Sequence, residues 1–158
     1  MQLMQSDLLK RALASNHVVN LLKRTVPPMD RVLLRLTRGW LNTGFQSVVL
    51  LETRGARTGK TRSIATLCMP RGTDLVLVGS NWGQDSDPAW VHNLRRNTDC
   101  KATFRGFSGP MVARELDGAE REAMWEHLVR ANPQYQRYQD GTERRLPVLL
   151  LSRKERER

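Results

Sequence analysis

The chain has 158 residues, 39% of them hydrophobic and 27% charged, with a formal net charge of +10. These figures describe one globular domain with an ordinary core, and they exclude a disordered or repetitive chain. The charge excess favours polyanionic partners: nucleic acid, anionic lipid, or a small ligand bearing several negative groups.

In chain order, residues 6–24 come first, with a cap residue at Ser6 and helical spacing of Leu9, Ala12 and Leu13. Lys10, Arg11, Lys23 and Arg24 make the predicted helix basic. It either packs on the domain or docks on an anionic membrane surface. Pro27-Pro28 breaks the pattern, and a second short helix is expected over about residues 29–41. Residues 1–46 thus read as an N-terminal helical extension. No signal peptide is apparent, and no apolar run approaches the length of a membrane span. The expected location is the cytoplasm, with the basic helix a candidate contact to the inner face of the membrane.

From residue 47 the hydrophobic period becomes that of strands. Strand-like runs lie at 47–54, 62–69, 73–80, 100–105, 109–116 and 145–152. Most are joined by glycine-containing turns, at Gly55/Gly59, Arg71-Gly72 and Gly106 to Gly109. Asp87-Pro88 predicts a helix N-cap followed by proline at the first helical position, with the helix running to about Asn97. A further helix runs from Gly118 through Ala131 and is ended by Asn132-Pro133. About six short strands in hairpin order, with helices inserted at two points, predict an antiparallel barrel over residues 47–153 and a charged tail at 154–158. Cys68 and Cys100 fall in separate strands without metal-type spacing and read as free thiols.

The segment Arg54-Gly55-Ala56-Arg57-Thr58-Gly59-Lys60-Thr61-Arg62 carries the strongest local signal. A glycine turn between two strands exposes backbone N–H groups, and the surrounding cations add full charge, so it suits phosphate or clustered carboxylates. Gly59-Lys60-Thr61 imitates the end of a nucleotide phosphate loop, but only Ala56, Arg57 and Thr58 separate Gly55 from Gly59. That loop needs four intervening residues and should open a helix, whereas Ser63-Ile64-Ala65-Thr66-Leu67 reads as a strand. A solvated basic hairpin tip is the other reading of the same residues.

Residues Leu50 to Arg62 resemble the first signature of the deazaflavin (coenzyme F420)-dependent nitroreductase and quinone reductase family. Val76-Leu77-Val78-Gly79-Ser80-Asn81-Trp82-Gly83 with Pro88-Ala89-Trp90-Val91-His92-Asn93-Leu94 is similar to the second. Tyr135-Gln136-Arg137-Tyr138 followed by Arg145 to Leu151 is similar to the third. Together they span about residues 47–153 in the family's order and close to its spacing. The resemblance implies an α+β, mainly antiparallel split β-barrel related to FMN-binding oxidoreductases. It also implies hydride transfer from reduced coenzyme F420 to an electron-poor acceptor such as a quinone, a nitroaromatic or an activated enone.

On that resemblance Arg54, Arg57, Thr58, Gly59, Lys60 and Arg62 would hold the phosphate and the glutamate tail. Thr66, Leu67, Cys68 and Met69 would contact the ring, together with Ser80, Asn81 and Trp82. Pro88, Trp90 and Asn93, at the start of the following helix, complete the candidate cofactor contacts. Trp90 reads as a core anchor in preference to a ligand contact, and Asn93 equally as an amide satisfied by backbone. His92 faces away from these residues. Ser80, Tyr135 and Tyr138 are the candidate catalytic residues, as hydroxyl donors or stacking rings, with a lid over the barrel as the alternative for the tyrosines. The loop Asn81-Trp82-Gly83-Gln84-Asp85 departs from the family's smaller, glycine-rich and often lysine-bearing loop. FMN is the second choice of cofactor, and a non-catalytic deazaflavin carrier or a nucleic-acid-binding module are the rival functions. The aromatics lie beside helix caps and apolar runs, which argues against nucleic acid. A monomer or a homodimer is expected.

Overall fold

The computed structural model describes residues 31–36 and 47–154. The helix expected at 6–24 and most of the charged tail lie outside the described residues. Of the helix expected at 29–41, residues 31–36 are helical.

Seven strands follow: β1 (Val48–Arg54), β2 (Thr61–Leu67), β3 (Met69–Arg71), β4 (Asp74–Val78), β5 (Asp99–Phe104), β6 (Phe107–Glu115) and β7 (Val148–Arg153). Helix α1 (Ala89–Arg96) separates β4 from β5, while α2 (Gly118–Ala131) and α3 (Gln134–Asp140) lie between β6 and β7. The strands form one antiparallel sheet in the order β2-β1-β5-β6-β7-β4-β3.

This order dictates the shape. β2 and β3 are the two edges, yet only Cys68 separates them in the chain. Six inter-strand spacings of about 4.8 Å would hold the edges of a flat sheet roughly 29 Å apart. The step from Leu67 to Met69 reaches at most about 7 Å. The sheet therefore curls until its edges meet, giving a barrel-like wall with flanking helices. Cys68 donates its N–H to the Ser47 carbonyl at 2.9 Å, which ties the crossing point to the start of β1.

Strand periodicity sorts the core. Val49 and Leu51 of β1, Leu75 and Leu77 of β4, and Leu149 and Leu151 of β7 point inward with Trp90, Leu94, Phe104 and Met111. Their neighbours point outward. Val48 and Leu50 meet Leu34 of the helical stretch at 31–36, while Val76, Val78 and Val148 meet Met124, Trp125 and Leu128 of α2. Both faces of the central strands are thus buried, which explains runs such as Val48-Val49-Leu50-Leu51 that do not alternate with polar residues. Arg121 of α2 is buried beside this second layer. Its guanidinium lies 4.8 Å from the Trp125 ring and donates to the Leu146 carbonyl at 2.9 Å.

Four local expectations are corrected. The run 62–69 is two strands, because closure makes the chain change edges at Cys68. The strand expected from 109 begins at Phe107, since Arg105 and Gly106, both at positive φ (42° and 83°), make a two-residue hairpin turn. The strand expected from 145 begins at Val148, because Leu146 N–H goes to Gln139 Oε1 and the Pro147 carbonyl accepts from Gly79 N–H. Finally, Pro88 and not Asp87 caps α1. The Asp87 carboxylate pairs with Arg95 and Arg144 instead, so two guanidiniums take the oxygens that a cap would have offered to backbone N–H groups.

Gly79, where β4 leaves the sheet, has no room for a side chain: a Cβ there would lie 2.6 Å from Pro147 Cγ and 2.8 Å from Val91 Cγ2. Gly79→Ala is expected to destabilise the domain by about 1–3 kcal/mol through overpacking, read as a lower denaturant midpoint at unchanged slope.

Candidate functional site

The cationic segment folds as the β1–β2 hairpin, with Arg54 paired to Thr61 across its mouth. Gly55 N–H donates to the Lys60 carbonyl and Gly59 N–H to the Gly55 carbonyl, each at 2.8 Å. Gly59 sits at φ 66°, a conformation that costs glycine nothing. Arg54, Arg57, Thr58, Gly59, Lys60 and Arg62 are all exposed. Among the described residues the side chains of Arg54, Arg57, Lys60 and Arg62 form no ion pair, while Arg95, Arg114 and Arg144 do.

Asn93 of α1 holds this turn from behind. Its Oδ1 accepts the Ala56 N–H at 2.9 Å and its Nδ2 donates to Thr53 Oγ1 at 3.0 Å, with the residue 8% exposed. Both ends of the amide therefore have partners within the chain. Trp90, one turn earlier, is a core residue, and Pro88 is the half-buried cap of α1. His92 is exposed, away from these contacts.

Arg144 gathers the loop 79–87. Arg144 Nε donates to the Gln84 carbonyl at 2.7 Å. Nη1 and Nη2 both reach the Gly79 carbonyl at 3.1 Å, and Nη2 also reaches the Ser80 carbonyl at 2.8 Å. Nη1 meets Asp87 Oδ1 at 2.5 Å, and Asp87 Oδ2 accepts from Arg95, which is itself forked onto Glu115. A planar five-donor fork is suited to gathering several oxygens at once. Ser80 caps the short helical turn Asn81–Gly83. On that turn Asn81, Trp82 and Gly83 have φ of 44°, 60° and 77°. Trp82 meets Tyr138 edge to face, with centroids 6.5 Å apart and planes at 75°.

A cleft of about 330 Å³ opens where β2 passes into β3. Leu67, Cys68 and Met69 form one wall, and Leu128, Asn132 and Tyr135 the other. Burial pushes the Tyr135 phenol up to about 12, with the neighbouring Cys68 and Tyr138 adding to the shift. Burial also pushes the Cys68 thiol up to about 12, opposed by Arg105, and raises Tyr138 as well. Both tyrosines therefore stay protonated donors at neutral pH, and Cys68 is a poor nucleophile.

The sequence-predicted residues thus fall in three places. Leu67, Cys68, Met69 and Tyr135 share the cleft. Ser80, Asn81 and Trp82 share the turn beside Tyr138. The cations and Thr58 sit on the hairpin, at the other end of β2 by roughly 20 Å (six steps of about 3.3 Å). Thr66 lies between, half-buried and paired with Val49. Arg144 is the positioning residue that sequence reasoning passed over. Its partners lie 57 to 65 positions away, so no local pattern marks it.

A model of the F420H(2)-dependent quinone reductase family matches residues 30–153. An F420H(2)-dependent quinone reductase of Mycobacterium tuberculosis is 30% identical over 117 residues, covering 70% of this chain and 76% of that protein. A solved F420H2-dependent reductase is 33% identical with a TM-score of 0.61, over 66% of this chain and 93% of that one. A solved domain-swapped dimer is 31% identical with a TM-score of 0.65, over 77% of this chain and 92% of that one.

Removing the anchor behind the hairpin leaves the Ala56 N–H and the Thr53 hydroxyl without their partner. Asn93→Ala is expected to cost about 1–3 kcal/mol and to remove the hydrogen-exchange protection of the Ala56 amide.

Proposed function

The chain belongs to the F420H(2)-dependent quinone reductase family, and from that premise we propose that it reduces a quinone, held at the cleft and the α3 tyrosines, while the β1–β2 hairpin grips the anionic end of the cofactor. The protein is an oxidoreductase and its cofactor is coenzyme F420. The observation that carries the assignment of the hairpin is its set of exposed cations, without ion-pair partners among the described residues, on a turn fixed by Asn93.

The donor set fits the group. Phosphate and carboxylates call for forked and point cations, and the hairpin offers Arg54, Arg57 and Arg62, then Lys60; the exposed N–H groups expected of the turn are not available at Gly55 and Gly59, which donate within it. An aromatic ring system calls for apolar walls, which Leu67 and Met69 supply. When bound, the reduced deazaflavin supplies a hydride.

The remaining work belongs to the chain's own residues. Two electrons and one proton arriving as hydride leave negative charge on an acceptor oxygen, which a second proton completes to the hydroquinone. Tyr135 lines the cleft, and among the described residues its phenol makes no hydrogen bond, so its O–H can donate to that oxygen as charge develops. Tyr138 and Ser80, beside the same helix, are the further candidate donors and contacts. Solvent supplies the second proton. Association as a dimer is supported by the related domain-swapped dimer.

Titration with oxidised deazaflavin followed by fluorescence tests the hairpin. Arg57→Ala and Lys60→Ala are each expected to weaken binding roughly fivefold, and raising salt from about 50 to about 300 mM should weaken the wild type as well. Binding indifferent to both substitutions would remove the assignment.

Tyr135→Phe is expected to lower kcat by on the order of a hundredfold while leaving cofactor affinity in place. Because the phenol is raised to about 12, its contribution should be present throughout roughly pH 6 to 9 and fade only as pH rises toward that value. A kcat ratio between wild type and variant that titrates near neutrality would contradict this role.

A further inference from the structure

We propose that Trp82 is a specificity-determining residue, presenting its indole to a planar, multi-ring electron acceptor so that this enzyme prefers such acceptors to single-ring ones. The inference deepens the reading above and rests on it.

Asn81, Trp82 and Gly83 succeed one another in the left-handed region. Glycine takes that conformation freely, whereas a bulky aromatic residue does so at a cost and only where its surroundings impose it. The surroundings here do impose it. Arg144 holds the carbonyls on both sides of the turn, at Ser80 and Gln84. Asn81 Nδ2 donates to the Ser86 carbonyl at 2.9 Å, and Thr142 Oγ1 donates to Asp85 Oδ1 at 3.0 Å. Within that scaffold Trp82 is 51% exposed. The fold thus holds a large aromatic ring at the surface in a conformation it would not adopt unaided.

The ring's neighbours say what it faces. Tyr138 meets it edge to face, so the two rings are not stacked face on face. Gly83 lies so close to α3 that a Cβ would come within 3.3 Å of Tyr138 Cδ1, which fixes the turn against that helix. The same helix carries Tyr135 into the cleft. Trp82 and Tyr138 therefore make an aromatic corner on the helix that also bears the proposed donor. An electron-rich indole favours a flat, electron-poor partner, and a fused two-ring quinone covers more of it than a benzoquinone does.

The experiment is steady-state kinetics of wild type and Trp82→Leu with reduced deazaflavin and two acceptors of similar potential, a naphthoquinone and a benzoquinone. Cofactor Kd is measured in parallel by fluorescence. The substitution is at an exposed position and leaves the core intact. The expected result is a naphthoquinone KM raised by about two- to tenfold, a clearly smaller change for the benzoquinone, and a cofactor Kd within twofold of wild type. Arg144→Lys keeps the charge and loses the fork. It should give the same selective loss, and the double variant should lose no more than the larger single effect. Equal changes for both acceptors, or none, would overturn the proposal, as would a shift confined to cofactor Kd. Additive losses in the double variant would overturn the positioning role of Arg144. A wild-type protein that binds the deazaflavin but turns over neither acceptor would overturn the underlying reading and this inference with it. A wild type that reduces both acceptors, with no selective loss in Trp82→Leu, overturns this inference alone.

Discussion

The single-residue step at Cys68 constrains everything else in this molecule. It joins the two edges of a seven-stranded sheet, so the sheet can satisfy its chain connectivity only by curling closed. Closure turns the inward side chains of β1, β4 and β7 toward one another and supplies the core. It also sets the ends of β2 to different tasks. One end is a solvent-exposed hairpin, and the other runs into the crossing, where α2 and α3 roof a cleft. An extended ligand with charge at one end and an aromatic system at the other matches that division.

Arginine is used in two distinct ways. Arg95, Arg114 and Arg144 are paired with carboxylates, and Arg144 also gathers backbone carbonyls of the loop 79–87. Among the described residues the hairpin cations have no such partners, which leaves their charge directed at whatever binds. The anchor behind them is consistent with this. Asn93 supplies an acceptor and a donor without adding negative charge beside an anion site, whereas an aspartate there would oppose the ligand. Part of the +10 excess is therefore organised, not merely solvating.

The cleft and the neighbouring turn combine rigidity with chemical reserve. Burial keeps Tyr135 and Tyr138 protonated and keeps Cys68 a thiol, so the site presents donors without presenting a nucleophile that an electrophilic quinone would arylate. Helix α3 is short, and its stability comes from contacts at both ends. Trp125 Nε1 donates to Gln136, and Gln139 bridges the Arg144 carbonyl and the Leu146 N–H. Those contacts, more than helix propensity, hold the two tyrosines in place.

The sequence by itself determined the antiparallel class, the hairpin with its exposed cations, the helix 118–131 and the deazaflavin family, because each depends on neighbours in the chain: strand period, turn glycines, charge spacing and ordered motifs. That Tyr135 and Tyr138 share a short helix is seen only in the structure. Only the tertiary structure split 62–69 into two strands, since that break answers to sheet closure and not to local propensity. Only it moved Asp87 from a cap to an ion pair and gave Asn93 to Ala56 and Thr53. And only it disclosed Arg144, whose five donors meet carbonyls and a carboxylate that lie dozens of residues away. Hydrogen bonds of that reach are fixed by where the closed sheet brings the chain back on itself, and no window of sequence contains both partners.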